Sequence, residues 1–541
     1  MNMKKQRILV TVLVAFVAFL SGGWLLQRGS QRGGSVYQQA RLFDDILSYV
    51  AEYYVDSLDA AELYDLAIDG FLTELNDPYT TFLREEDYRD LELSTTGNYG
   101  GVGMQIDVRD GWITVVAPIV GTPADSLGIA SGDRIVEIDG ASTRGWGSDR
   151  AVRALRGPPG TRVRLTVVRP GVPDSLAFDV TRARVHVRSV VYSAVLGGEV
   201  GYVSLVNSSI SEQTAREVSD EIAKLRSQGA RALILDLRGN PGGVLDQGVA
   251  VADLFLDRGA VVVETRGRAP GANQTYRGRD GQQWAEMPVV VLVDGGTASA
   301  AEIIAGALQD HDRALVVGTT SFGKGLVQTV YPLNGREFLK LTTGRWYTPS
   351  GRTIQRPLRT ARARAEEAPD ADQVAGPRAD TSKTDSMPTF RTDAGRIVYG
   401  GGGIRPDVIV QPDTLTDPEK AFVRALGSGI PAYRDVLTSY ALELKGRSAI
   451  ADRRFQVTPA MLAELHRRLR DRGVDVPAED WQRGASLVAQ QFKYEVTRFV
   501  FGRTAEFEQR TADDVQIRHA VELIRRARTP TELLSLAVSG R

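Results

Sequence analysis

The chain is predicted to be a multidomain protein of mixed α/β and α+β class, on three observations. Its 541 residues, 42% hydrophobic and 25% charged, exceed what one core normally organises and can bury several. Between residues 200 and 293, apolar strands alternate with amphipathic helices, the pattern of an α/β layer. Residues 97–184 instead run as short strands broken by glycines, and helical periodicity flanks both parts, over 36–96 and again over 414–541. Three or four folded units follow.

Composition narrows the function. The 66 basic and 67 acidic residues leave a formal charge of −1, so bulk electrostatics recommend no nucleic-acid partner. The absence of cysteine excludes disulfides, thiolate metal sites and a cysteine nucleophile. No metal-ligand or cofactor motif is found, and neither group is expected. Lys4, Lys5 and Arg7 precede the uncharged residues 8–26, whose helical length of about 1.5 Å per residue approaches the hydrocarbon thickness of a bilayer. Residues 1–30 are therefore read as a single-pass anchor with the body outside the cytoplasm, in a bacterial cell the periplasm. Ser21, Gly22 and Gly23 would also serve a cleaved secretory signal, which exports the body equally.

In 36–96 the residues Leu42, Ile46, Val50 and Tyr54, then Leu63, Ala67, Phe71 and Leu75, recur at helical spacing, with Asp59 placed to cap the second helix. An ordinary packing element is the first reading and an oligomerisation surface the second. Asn76-Asp77-Pro78-Tyr79 ends the helix. Within 97–184, Ile135, Val136 and Ile138 make a strand and Asp139-Gly140 its hairpin turn. The strings from Gly121 to Ile129 and from Gly132 to Gly140 resemble those of a bacterial PDZ domain. That resemblance implies a peptide-binding loop at Gly101, Val102 and Gly103, whose free N–H groups would receive a terminal carboxylate while the peptide extends a sheet edge. Met104 and Ile106 are candidates for the pocket that reads the last residue.

In the α/β part, strands are predicted at 200–206, 232–237 and 261–265, and helices at 212–226 and 247–256. The strand 289–293 runs into Asp294-Gly295-Gly296-Thr297-Ala298-Ser299-Ala300-Ala301-Glu302, which sets Ser299 at a strand-to-helix junction where the N–H groups of a helix start can meet developing negative charge. On position alone a helix cap explains Ser299 better. His186, His311, His466 and His519 stand in no recognisable triad context, and His311, between Asp310 and Asp312, reads as a solvated loop residue. A lysine can act in place of histidine if burial keeps its amine neutral. Lys324 has that context, with Phe322, Leu326 and Val327 to dry it and Gln328 to orient it. The rival is a phosphate-binding loop, since Gly318 and Gly323-Lys324 have its spacing. Gly325 stands where such a loop needs Ser or Thr, and a strand, not a helix, is predicted to follow.

Ser299 to Glu302, Gly323-Lys324-Gly325 with Gln328, and the string Asp236 to Gly243 together resemble the carboxyl-terminal processing peptidases, or tail-specific proteases. The similarity takes in Asp77-Pro78, the PDZ-like module, Tyr347 to Arg352 and Gly401 to Asp407, so it spans roughly residues 40 to 410. Ala301, where many relatives have serine, and Tyr79-Thr80 after Asp77-Pro78 depart from the pattern. The resemblance implies a ClpP/crotonase-like protease core over 185–413, with Ser299 as nucleophile, Lys324 as general base and Gln328 positioning it. It also implies an oxyanion site from the N–H groups of Gly242 and Ala300, with Gly243 competing, and substrates that are polypeptides with free C-terminal tails. Residues 358–393, poor in large apolar side chains, are read as a mobile surface insertion. Residues 414–541 are read as a helical domain for packing, oligomer formation or docking of an adaptor, with Thr458-Pro459 as one start signal. A catalytically silent, tail-binding PDZ scaffold is the alternative to the enzyme.

Overall fold

The computed structural model describes residues 36–357 and 387–539. Among them no helix is long and apolar enough to cross a membrane; the stretch 8–26, read as an anchor, lies outside them. Two compact units are formed, one by residues 36–83 together with Val330–Leu341, the other by the remaining described residues. The first holds helix α1 (36–53), helix α2 (Ala60–Glu74) and strand β1 (Thr81–Leu83), which pairs antiparallel with residues 338–340. Asp59 caps α2 by accepting from the Ala61 N–H at 2.7 Å, as its position predicts. Of the apolar stripe, Leu63 is buried, whereas Leu42, Ile46, Tyr54, Phe71 and Leu75 are exposed. That distribution departs from an ordinary packing element.

The second unit opens with α3 (Glu85–Thr96) and the PDZ-like module: β2 (Asn98–Gly101), β3 (Met104–Arg109), β4 (Trp112–Pro118), α4 (Pro123–Ser126), β5 (Arg134–Ile138), β6 (Ala141–Ser142), α5 (Ser148–Leu155), β7 (Arg162–Val168), β8 (Leu176–Thr181) and β9 (Ala183–His186). The sheet order is β3-β4-β5-β7-β8, with β6 on β5, while β2 pairs with β9. Asp139 and Gly140 take φ of 49° and 77°, the paired left-handed residues of a hairpin turn. Ile113, Val115, Ile135, Leu165 and Val167 form a core against Ala151 and Leu155 of α5.

A three-layer α/β body follows. Its elements are β10 (Tyr192–Leu196), β11 (Val200–Ser204), α6 (Thr214–Ser227), β12 (Ala232–Asp236), α7 (Leu245–Asp253), β13 (Val261–Gly267), β14 (Gln274–Arg277), β15 (Val289–Val293), α8 (Ala300–Asp310) and β16 (Leu315–Gly318), then β17 (Leu326–Pro332), β18 (Phe338–Tyr347), β19 (Thr389–Arg391), β20 (Ile397–Tyr399) and β21 (Val408–Ile409). The main sheet runs β10-β11-β12-β15-β16-β21, parallel except for β10. Period-two alternation divides its side chains. Leu233, Leu235, Val289, Val291 and Val316 pack with α6, α7 and α8, whereas Ile234, Val290, Leu292, Leu315 and Val317 face the other way.

The second face is covered from the far end of the chain. After α9 (Asp417–Leu426), α10 (Ile430–Gly446), α11 (Pro459–Asp471), α12 (Ala478–Val496) and α13 (Arg503–Asp513) come α14 (Val515–Arg525) and α15 (Pro530–Ser539). Ile517, Ala520, Leu523 and Ile524 of α14 and Leu533 of α15 pack on that face, while α9 to α12 keep a core of their own around Phe422, Val436, Leu465 and Phe492. The boundary expected at residue 413 therefore needs correction, because a parallel sheet of wholly buried strands requires cover on both faces and α14 and α15 supply half of it. A second correction concerns 387–393. Thr389–Arg391 pairs with Ile397–Tyr399, Thr392 is buried, and the Asp393 N–H bonds Asp310 O at 2.9 Å, so this end of the supposed mobile insertion is a structured hairpin.

Candidate active site

The turn between β15 and α8 is built to hold Ser299 out of line. Asp294 Oδ1 accepts from the N–H groups of Gly239, Gly296 and Thr297 at 2.8, 2.9 and 3.1 Å, and Thr297 Oγ donates to Leu237 O at 2.8 Å. Ala298 N donates to Asn240 O and Phe322 N to Thr297 O, each at 2.9 Å. The serine turn is thus tied to the loop after β12 on one side and the loop after β16 on the other. Ser299 has φ 53° and ψ −118°, a region costly for a residue with a Cβ and of order 1–3 kcal/mol of strain. Such a junction projects the hydroxyl at the start of α8, where helix N–H groups lack intrahelical partners.

Gly242 lies against this serine. A Cβ at Gly242 would sit 2.6 Å from Ala298 O, 2.8 Å from Ala300 N and 2.8 Å from Ser299 Cβ, so only glycine fits. Gly243 turns instead to Ile210, where a Cβ would fall 2.1 Å from the Ile210 O. The Gly242 N–H donates to Asn240 Oδ1 at 2.9 Å, so in this structure that donor is already engaged. Asn240, fully buried, also donates from Nδ2 to Leu205 O at 3.0 Å, which fixes its amide. Asn240 was given no role by the sequence, because its partners come from two separate loops.

The residue that draws the site together is Glu302. It is wholly buried and accepts four hydrogen bonds: Oε2 from the N–H groups of Ser299 and Lys324, both at 2.9 Å, and Oε1 from the Gly323 N–H at 2.7 Å and the Ser321 hydroxyl at 2.5 Å. Burial pushes its pKa up, against the opposing pull of the Ser321 hydroxyl and the three main-chain donors. One carboxylate oxygen therefore brings the main-chain nitrogens of Ser299 and Lys324 within two hydrogen-bond lengths of each other. The spacing Ser299-x-x-Glu302 is that of a helix capping box, so the sequence did carry a signal for it.

Lys324 is fixed along its main chain, its N–H by Glu302 and its O by Trp346 Nε1 at 3.1 Å, while Gly325 donates to Gln355 Oε1 at 2.8 Å. Trp346 is buried, Leu326 is buried beside the lysine, and Phe322 and Val327 are half-buried. Strand β17 follows directly, the geometry that separates this loop from a phosphate-binding one. Gln328, in β17 two residues beyond Leu326, has a buried Nε2 with no hydrogen-bond partner. The opposite end of α8 is anchored by Asp310, whose Oδ1 takes the fully buried Arg352 at 2.7 Å and whose Oδ2 takes Ser350 N at 3.0 Å. His311 is no solvated loop residue. Its Nδ1 meets Asp393 Oδ2 and its Nε2 meets Val261 O, both at 2.7 Å, because the structured hairpin at 387–393 covers it.

In the PDZ-like module, the carbonyls of Val102 and Gly103 face inward, accepting from Ala124 N at 2.9 Å and Ile119 N at 3.0 Å, with the Thr122 hydroxyl also on Gly103 O at 2.8 Å. Their N–H groups donate to no acceptor among the described residues. Gly103, at φ 81°, leaves only 2.3 Å between a would-be Cβ and Thr122 Cβ. Gly101 and Val102 are buried, and Met104 belongs to the core with Ile106 beside it.

Comparison with known proteins matches both parts. Residues 199–359 fit the model of peptidase family S41 and residues 114–169 that of a PDZ domain. A carboxy-terminal-processing protease of Bartonella bacilliformis is 39% identical over 356 residues, covering 64% of this chain and 81% of that protein. The carboxy-terminal processing protease CtpA of Bacillus subtilis is 34% identical over 354 residues, covering 64% and 74%. Among solved structures, the photosystem II D1 C-terminal processing protease is 31% identical with a TM-score of 0.34, over 57% of this chain and 83% of that one. An α/β core joined to a PDZ domain, with the Bartonella and Bacillus relatives, defines a serine-type peptidase that acts on polypeptides. The chain belongs to peptidase family S41, among the relatives named carboxy-terminal processing proteases.

Proposed function

We propose that this chain cleaves polypeptides near their carboxyl ends with a Ser299–Lys324 dyad, in a compartment outside the cytoplasm. In the acylation step the neutral Lys324 amine takes the Ser299 hydroxyl proton as Oγ attacks the scissile carbonyl. The amine then returns the proton to the leaving nitrogen as the peptide bond breaks, which leaves an ester on Ser299. Water, deprotonated by the same amine, hydrolyses that ester. Gln328 orients the amine, its buried Nε2 being otherwise unpartnered. The N–H groups of Ala300 and Gly242 receive the oxyanion, for which Gly242 must exchange Asn240 Oδ1 for the substrate.

The observation that carries this reading is the single Glu302 oxygen accepting from the main chain of both Ser299 and Lys324. The N–H groups of Val102 and Gly103, which have no acceptor among the described residues, support the capture of a free tail carboxylate by the PDZ domain. Residues 1–30 supply the membrane anchor or export signal, with the catalytic body in the periplasm. The exposed apolar stripe of α1 and α2 supports a homo-oligomer or an adaptor contact. The test is cleavage of an unstructured peptide with a free C-terminus by Ser299→Ala and Lys324→Ala proteins. Both should be folded and inactive; activity retained by either refutes the dyad, and an inactive parent favours a silent tail-binding scaffold.

A further inference from the structure

The free edge of β3 is where a tail would add to the PDZ sheet, and the C-terminal helices reach its outer side. Strand β3 ends the order β3-β4-β5-β7-β8, with no strand paired beyond it among the described residues. Its side chains alternate: Met104 lies in the core and Ile106 and Val108 pack against it, whereas Gln105 is exposed and shares the outer side with Asp107.

Helices α10 to α13 are docked on this module at several points. Lys445 Nζ donates to Ser131 O at 2.6 Å and Arg472 to Asp110 at 2.5 Å. The approach is close enough that a Cβ on Gly132 would lie 2.3 Å from the Leu442 side chain. Arg503, the first residue of α13, donates through its guanidinium to Gln105 Oε1.

The charge balance around Arg503 is one-sided. Glu506 is taken up by Arg498, at 2.8 and 2.7 Å, and by Arg510 at 2.8 Å. Among the described residues no carboxylate stands within ion-pair distance of Arg503; it has the neutral amide of Gln105 and the Phe507 ring, 5.2 Å away at its centroid. Burial first, then the neighbouring Arg498 and Arg510, press its pKa down against the attraction of Glu506. A half-buried guanidinium so placed gains strongly from a carboxylate that reaches it.

A tail with its carboxylate at residues 101–103 sends its last side chain to the Met104 side. Its penultimate side chain, and the one two residues earlier, then fall on the Gln105 side. We propose that Arg503 completes the peptide site of the PDZ domain from the C-terminal helices, receiving an aspartate or glutamate side chain at one of these two outer positions of a bound tail. The proposal rests on the tail-binding reading above.

The experiment uses the full chain carrying Ser299→Ala and fluorescent decapeptides with Glu, Gln or Lys at each outer position, read by anisotropy. The Glu peptide should bind about tenfold more tightly than its Gln counterpart at one outer position, the scale of one charge-assisted hydrogen bond. Arg503→Ala should erase that difference while leaving the Gln peptide unchanged, Arg503→Lys should keep part of it, and Arg503→Glu should turn the preference to Lys. If the carboxylate terminus is needed but Glu, Gln and Lys peptides bind alike, or if Arg503→Ala keeps the preference, the role of Arg503 is overturned while tail binding stands. If C-terminally amidated peptides bind as well as free ones, the tail-binding reading fails and takes this site with it.

Discussion

Replacing Glu302 by glutamine tests whether its carboxylate organises the site or merely fills space. The substitution keeps volume but exchanges one acceptor oxygen for an NH2 group. With that NH2 at the Oε2 position, two main-chain donors, Ser299 and Lys324, would face it with no means of turning away. With the NH2 at the Oε1 position, the Ser321 hydroxyl can rotate to accept, although it already accepts from Ile404 N at 2.6 Å, and only the Gly323 N–H is stranded. The second arrangement is favoured. It leaves one buried donor unpaired, at about 1–3 kcal/mol. Denaturant unfolding of Glu302→Gln should show a loss of that size. Because Gly323 adjoins Lys324, kcat on a tail peptide should fall about a hundredfold, the usual consequence of roughly 1 Å of misplacement, with KM little changed. Glu302→Ala would strand all four donors and is expected to fold poorly, so it is the weaker probe. Wild-type kcat together with wild-type stability in the glutamine protein would refute the organising role.

Gly242→Ala should lose about a hundredfold or more in kcat and also melt at a lower temperature than the parent, since the new methyl group intrudes between Ala298 O, Ala300 N and Ser299 Cβ, at the proposed oxyanion site; a tail-peptide assay beside a thermal melt checks both halves. Glu221 provides a pH test. Burial alone would raise its pKa, but hydrogen bonds from Ser193, Lys224 and Arg188 override it and hold the group at about 2, below its ordinary 4.5. A depressed folded-state pKa contributes stability that is fully present above about pH 4.5 and is lost as pH falls toward about 2. Urea midpoints at about pH 5 and 3 should therefore drop less in Glu221→Gln than in the parent; an equal drop would remove Glu221 as a cause.

What could be read from the sequence was what depends on neighbours along the chain. The apolar run 289–293 ending in a polar turn set Ser299 at a helix start, and the β-branched residues after Lys324 marked a strand that no phosphate loop would tolerate. Asp59 and Asp139-Gly140 formed the cap and hairpin turn that their residue types favour. What escaped depends on contacts across loops. Asn240 looks like a turn residue until Leu205 and Gly242 are seen at either end of its amide. Glu302 was visible as a capping residue, but its reach to Gly323 and Lys324 was not, because nothing local says which loop will fold over the helix start. The amphipathic pattern of α14 and α15 announced a buried stripe without naming the sheet it covers. The exposed stripe of α1 and α2 shows the converse, a regular apolar pattern with little of its own chain against it.

The covering of the sheet by α14 and α15 has a consequence for how the enzyme comes into being. A polypeptide is made from its amino end, and the strand leading to Ser299 leaves the ribosome more than two hundred residues before Leu533. Until that last stretch arrives, Ile234, Val290, Leu292, Leu315 and Val317 have nothing from their own third layer to lie against. Domains generally fold as units in the order of synthesis, but here the final helices complete the layers of a body begun far earlier in the chain. A chain that is still being made, or one that has lost its end, therefore carries Ser299 on a sheet with one face uncovered.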